Sequence, residues 1–134
     1  MTETIEQAAA SVSEEHAPDP FSASCPTREL LDRIGDRWTT LVVCSLEGGS
    51  MRFSELGRRI EGISQKMLTQ TLRGLERDGL VTRTVHAQVP PRVDYALTDL
   101  GHTLTPVLAA LDTWARTHMP DVAASRVAYD VRPD

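Results

Sequence analysis

Between Ser64 and Arg77 the sequence SQKMLTQTLRGLER sets two kinds of side chain on opposite sides of one predicted helix. At roughly 100° per residue, Met67, Leu68, Thr71, Leu72 and Leu75 share one side, and Lys66, Thr69, Gln70, Arg73 and Arg77 share the other. The second set carries ammonium, guanidinium, amide and hydroxyl groups and no carboxylate, although Glu76 lies near its edge. Such groups bond nucleic acid: Arg and Lys meet phosphates and guanine edges, Gln pairs with adenine, and Thr meets either. An ordinary surface helix with a solvated polar face shows the same pattern. The surrounding elements decide between the two.

Other residues able to do chemistry are sparse. Cys25 precedes a predicted helix start, where free amides and the helix dipole favour a thiolate, and Arg28 lies one turn on. A thiolate there reacts with oxidants and electrophiles; the plainer alternative is a packed, inert cysteine. Cys44 lies in the apolar run Leu41-Val42-Val43-Cys44-Ser45-Leu46 and is predicted to be a core residue. His16, His86, His102 and His118 have no spacing suited to a shared metal ion. No nucleophile–base pair, glycine-rich phosphate loop or paired-carboxylate arrangement is visible, so neither a catalytic site nor a metal nor a cofactor is expected. Two cysteines are too few for a disulfide framework.

The helix at 64–77 is preceded by a shorter one in which Phe53, Leu56 and Ile60 form a stripe, broken by Gly62, with Ser64 as the N-cap of the second. Upstream, Pro26 or Thr27 opens a helix through Leu30, Leu31 and Ile34 that Gly35 stops. A nearly all-buried helix follows from about Asp36 to Glu47, and Ser50-Met51-Arg52 reads as a short strand. Downstream, residues 80–86 alternate at period two, Pro90-Pro91 stiffens a loop, and Val93, Tyr95 and Leu97 alternate again. A β-hairpin directly behind the helix pair makes a winged helix-turn-helix: mainly α, with a small hairpin wing. Thr98 then caps a long helix to about His118, kinked at Pro106, with Leu100, Leu104, Val107, Leu108, Leu111, Trp114 and Ala115 in one seam. So small a core cannot use all of that seam. The rest, with the first helix, predicts a homodimer through Leu30, Leu104, Leu108, Leu111 and Trp114.

The chain of 134 residues carries a net charge of −5. The acids concentrate in residues 1–24, which hold Glu3, Glu6, Glu14, Glu15 and Asp19 and no Lys or Arg, and read as a mobile acidic tail. Within 51–93, by contrast, Arg52, Arg58, Arg59, Lys66, Arg73, Arg77, Arg83 and Arg92 outnumber Glu55, Glu61, Glu76 and Asp78. Local charge governs phosphate contact more than the total does. No stretch approaches a membrane helix and no signal peptide is visible, so a soluble, cytoplasmic protein is expected, with residues 25–119 as its domain and 120–134 as a C-terminal tail.

Across 25–119 the sequence resembles the HxlR-type transcriptional regulators, winged helix-turn-helix proteins related to MarR. The matching blocks are Cys25-Pro26, Gly35-Asp36-Arg37-Trp38, Arg52-Phe53-Ser54-Glu55-Leu56, Gly62-Ile63-Ser64-Gln65-Lys66-Met67-Leu68, Asp78-Gly79-Leu80-Val81, Val89-Pro90-Pro91-Arg92-Val93, Tyr95, Leu97-Thr98 and Leu100-Gly101. The resemblance implies a dimeric DNA-binding regulator and, through members that sense oxidants or quinones with an N-terminal cysteine, a redox role for Cys25. The acidic N-terminal tail departs from it.

The expected partners are double-stranded DNA, a second copy of the chain, and an oxidant, quinone or other small-molecule effector. Ser64, Gln65, Lys66, Thr69 and Gln70 are the candidates for base contacts, Arg73 for base or phosphate, and Arg52, Arg77 and Arg92 for the backbone. Two alternatives stay open: a small-molecule-responsive regulator without redox chemistry, and a winged helix kept as a protein-interaction module.

Overall fold

A computed structural model describes residue 19 and residues 21–133. The expectation for the acidic tail therefore falls almost wholly outside the described residues. Among the described residues the chain runs α1 (Pro26–Ile34), α2 (Arg37–Leu46), β1 (Met51–Arg52), α3 (Phe53–Arg59), α4 (Gln65–Arg77), β2 (Val81–His86), β3 (Arg92–Leu97) and α5 (Asp99–Asp130).

The helix starts follow side-chain chemistry. Asp36 Oδ1 accepts from the amides of Trp38 (2.8 Å) and Thr39 (3.3 Å) at the head of α2. Ser64 Oγ accepts from the Met67 amide at 3.1 Å to open α4, and Thr98 Oγ1 from the Gly101 amide at 3.0 Å to open α5. Each such cap satisfies an amide that would otherwise lack a partner, typically stabilising by about 1 kcal/mol. The Thr98 hydroxyl also donates to the Gly79 carbonyl at 2.6 Å, tying the start of α5 to the corner between α4 and the wing. That corner needs glycine twice. Gly79 has φ +77°, and a Cβ at Gly101 would strike the Leu80 carbonyl oxygen.

The sheet is antiparallel in the order β1-β3-β2, with Met51 opposite Tyr95, Val81 opposite Leu97, and His86 opposite Arg92 at the loop end of the hairpin. Beneath it lies one core: Val42, Val43 and Leu46 of α2, Leu56 of α3, Ile60, Leu68, Leu72 and Leu75 of α4, Leu80, Val81, Tyr95 and Leu108. A fully buried leucine contributes about 1.5–3 kcal/mol over leaving it in water, so the three α4 leucines fix which side of that helix faces outward.

Four expectations need correction. α5 does not stop near His118 but continues through Pro120 to Asp130. Pro106 supplies no amide to the His102 carbonyl, and the Thr105 hydroxyl donates to it instead at 2.9 Å; Pro120 is exposed, so water can take the carbonyl that its missing N–H leaves free. The C-terminal stretch read as a tail is therefore helix for most of its length. α2 is only partly buried: Leu41 and Cys44 are exposed, which removes Cys44 from the core. Leu108 is 1 % exposed and belongs to the core rather than to a dimer surface, and Leu104 is half-buried against that core. At 3.6 residues per turn, Gly101, Leu104 and Leu108 fall on one line down α5, whereas Leu100, Val107, Leu111 and Trp114 are turned roughly 60–120° away from Leu108. These four are more than half exposed, so the predicted single seam is two faces.

Candidate nucleic-acid interface

The α3–turn–α4 unit presents the surface predicted from its periodicity. Leu68, Thr71, Leu72 and Leu75 are buried, while Gln65, Lys66, Gln70 and Arg73 are exposed and Thr69 is half-buried. Thr71, the one buried hydroxyl on the helix, donates to the Met67 carbonyl at 2.8 Å. Phe53, Gln65, Lys66, Thr69, Gln70 and Arg73 together line a shallow open trough. Lys66 and Arg73 have no ion-pair partner among the described residues, and no acidic side chain lines the trough. Ser64 is exposed, but one lone pair of its oxygen already caps the helix; its hydroxyl proton and second lone pair are left.

Other predicted contacts are tied up. Arg77, exposed at the far end of α4, reaches back to Glu29 of α1 at 3.4 Å, away from the trough. Arg92 does not sit free at a wing tip. It opens β3, with Nε 3.0 Å from Asp94 Oδ1 and Nη2 2.9 Å from Oδ2. His86 Nε2 lies 2.9 Å from the same carboxylate, so one Asp joins both strands at the last pair before the loop. The Arg92 guanidinium, helped by His86, lowers the Asp94 carboxyl to about 2. Asp94 in turn raises Arg92. Arg52 is exposed and borders a cleft with Phe53, Gln88, Pro90, Pro91 and Arg92, so the start of α3 and the hairpin loop meet along one edge. A residue not anticipated for this edge is Arg83. It is exposed on β2, where it lines a second cleft with Thr69, Arg73 and Glu76. The strand alternation at 80–86 carried the cue, since it sets Arg83 on the same face as Val81 and Val85.

The two cysteines exchange their expected settings. Cys25 is the N-cap of α1 and is buried, at 8 % exposure. Its thiol is held below the ordinary value chiefly by the Arg28 backbone amide, with burial opposing and Thr27 assisting. Cys44 is exposed in a cleft of about 440 Å³ between α2 and α5, beside Leu41, Ile60, Thr105 and Asp112. Partial burial, with Glu47 and Asp112 nearby, pushes its thiol up. The thiol whose pKa is lowered is therefore the one with the smaller access to solvent.

Away from the trough, the predicted pairing residues Leu30, Leu111 and Trp114 are 42 %, 57 % and 60 % exposed. Among the described residues no helix is long and apolar enough to cross a membrane, and no cluster of three His, Cys, Asp or Glu is placed to hold a metal ion.

Comparison with known proteins agrees with this geometry. The HxlR-like helix-turn-helix family matches residues 33–123. The chain is 43 % identical over 106 residues to the uncharacterized HTH-type transcriptional regulator YtfH of Escherichia coli strain K12, spanning 79 % of this chain and 84 % of that one. Among solved structures it is similar to ytfH from Salmonella typhimurium, with a TM-score of 0.77 and 41 % identity over 81 % of this chain and 97 % of the other. It is also similar to the redox regulator HypR in its reduced form, with a TM-score of 0.68 and 38 % identity over 74 % of this chain and 98 % of the other.

Proposed function

The chain belongs to the HxlR-like helix-turn-helix family of transcriptional regulators, and from that premise we propose that it binds a pseudo-palindromic operator as a homodimer and represses transcription from it. The observation that carries this reading is the α4 trough: cationic and amide groups exposed, unpaired and free of carboxylates, on a helix whose other side is locked into the core. Gln65, Lys66, Thr69 and Gln70 read bases in the major groove, with Arg73 at its margin. Arg52, Arg83 and Arg92 anchor to phosphates, and Arg77, held by Glu29, contributes least. Pairing through the exposed faces of α1 and α5 sets two such helices about one helical turn, roughly 34 Å, apart on the duplex. The test is a salt titration of binding to genomic fragments: affinity falls steeply with salt if phosphates are neutralised. Binding that ignores salt, or no binding to any duplex, defeats the reading and favours a protein-interaction module.

The input we propose is oxidation at Cys25. The lowered thiol pKa at a helix N-cap supports it, as does the similarity to HypR, a redox regulator. In the simplest course the Cys25 thiols of the two subunits lose two protons and two electrons to an added oxidant such as diamide, which is reduced to the hydrazine as the disulfide forms. Diamide should then shift operator binding of the wild type and leave Cys25→Ser unmoved. A wild type indifferent to diamide and to quinones rules this input out, and retention of the diamide response in Cys25→Ser assigns it to the exposed Cys44.

A further inference from the structure

α1 is poorly held by packing. Nine residues long, it has no buried residue, and only Ile34 at its last turn packs against the core. Charge ties it down instead. Arg33 bonds through Nε to the carboxylate of Asp78, the two side chains being 25 % and 20 % exposed. Asp78 is the C-cap of α4, immediately before the turn into the wing. Glu29, one turn earlier on α1, receives Arg77 from the same end of α4, but that pair is open to water and adds little. The half-buried Arg33–Asp78 pair is the stronger tie, because removing either partner strands the other charge away from full hydration.

A second observation comes from Gly74. It lies inside α4, where glycine is the poorest helix former after proline, and it does not have positive φ, so the backbone does not require it. The missing side chain makes room. A Cβ there would overlap the Arg33 guanidinium at Nη1 and Cζ. Arg33 therefore lies in a notch in α4, with its head fixed on Asp78 one turn further along.

We propose that Arg33 is a positioning residue for α4: seated in the Gly74 notch and paired with Asp78, it makes α1 and α4 move as one body. α1 carries an exposed apolar face at Leu30 and Leu31 and has Cys25 at its head. A displacement of α1 by a partner subunit or by chemistry at Cys25 reaches α4 and the wing corner through this latch. The consequence for DNA rests on the reading of α4 as the recognition helix; the latch itself does not.

Gly74→Ala separates latch from fold, because it improves helix propensity and evicts only the flexible end of Arg33. The expected result is a thermal midpoint no lower than wild type, with amide exchange about tenfold faster across residues 26–34. Affinity for a duplex selected from the host genome by the wild-type protein should fall about tenfold, while affinity for a random duplex stays nearly constant. Arg33→Met should match it in exchange and affinity but lower the thermal midpoint, because Asp78 is left unpaired, and the double variant Arg33→Asp, Asp78→Arg should recover part of what either single change loses. Wild-type exchange and affinity in Gly74→Ala overturn the proposal, as does absence of recovery in the charge swap. If the wild type binds no duplex, the DNA reading fails separately, and the exchange measurement alone decides the latch.

Discussion

α4 and α5 are both amphipathic in sequence, and the chain treats them differently. α4, 13 residues long, buries four of them on one side; α5, 32 residues long, buries only Gly101 and Leu108. The apolar side of α4 is thus satisfied within one chain, and its polar side is left over for another molecule. In α5 the apolar side itself is left over: Leu100, Val107, Leu111 and Trp114 face water, as do Leu30 and Leu31 of α1. One helix is finished as a monomer and offers polar chemistry. The other leaves apolar surface exposed, which the proposed pairing of two chains would cover.

The sharpest way to break this contrast is to cut each side at its centre. Leu72→Ala should cost about 2–5 kcal/mol of unfolding free energy, read by urea denaturation, because Leu72 is fully enclosed and its cavity cannot collapse. Leu111→Arg should leave the fold of each chain intact but weaken self-association by on the order of 2 kcal/mol or more, seen as a shift toward monomer in sedimentation velocity. Were Leu111→Arg to unfold the chain, or to leave its assembly unchanged, α5 would not be the pairing element. On the α4 side, Lys66→Ala and Gln70→Ala should each cost about 1–3 kcal/mol on the cognate operator and little on random DNA, measured by fluorescence anisotropy. Equal losses on both duplexes would assign these side chains to phosphates rather than bases.

The parts legible in the sequence are those set by local chemistry. Ser64, Asp36 and Thr98 were readable as helix starts because an oxygen three residues or fewer ahead of an amide is a short-range relation. The alternation at 80–86 and 93–97 gave both wing strands within a residue. The split of the α5 seam was not readable, because which of two adjacent stripes meets the core depends on how α5 crosses α2, a tertiary fact. Cys44 misled for a related reason: an apolar run in a short helix looks buried all round, yet the helix shows Leu41 and Cys44 to solvent. The end expected near His118 fails because an exposed helix can lose one carbonyl partner to water at Pro120 and continue. The charge of Arg77 and Arg92 marks both as candidate contacts. Glu29, the acid that takes Arg77, lies on another element and only folding brings the two together, whereas Asp94 lies two residues from Arg92 on the same strand face, a pairing legible in the period-two alternation.

Arg92 gives the smallest expected effect and sharpens the comparison at the wing. Two of its donors are spent on Asp94, but a guanidinium has five N–H groups, so a phosphate can be met without breaking the pair. The neighbouring carboxylate cancels much of its field, and Arg92 should therefore add less affinity than an unpaired arginine such as Arg73. A phosphate contact still releases a counterion. Arg92→Ala should accordingly lower the slope of log affinity against log salt by about one unit and weaken all sequences alike. Asp94→Asn keeps the shape of the side chain but removes its charge, and should strengthen binding to every duplex tested. An unchanged slope in the first variant with unchanged affinity in the second would take the wing base out of phosphate binding. The His86–Asp94–Arg92 cluster would then serve only to close the hairpin at its final strand pair.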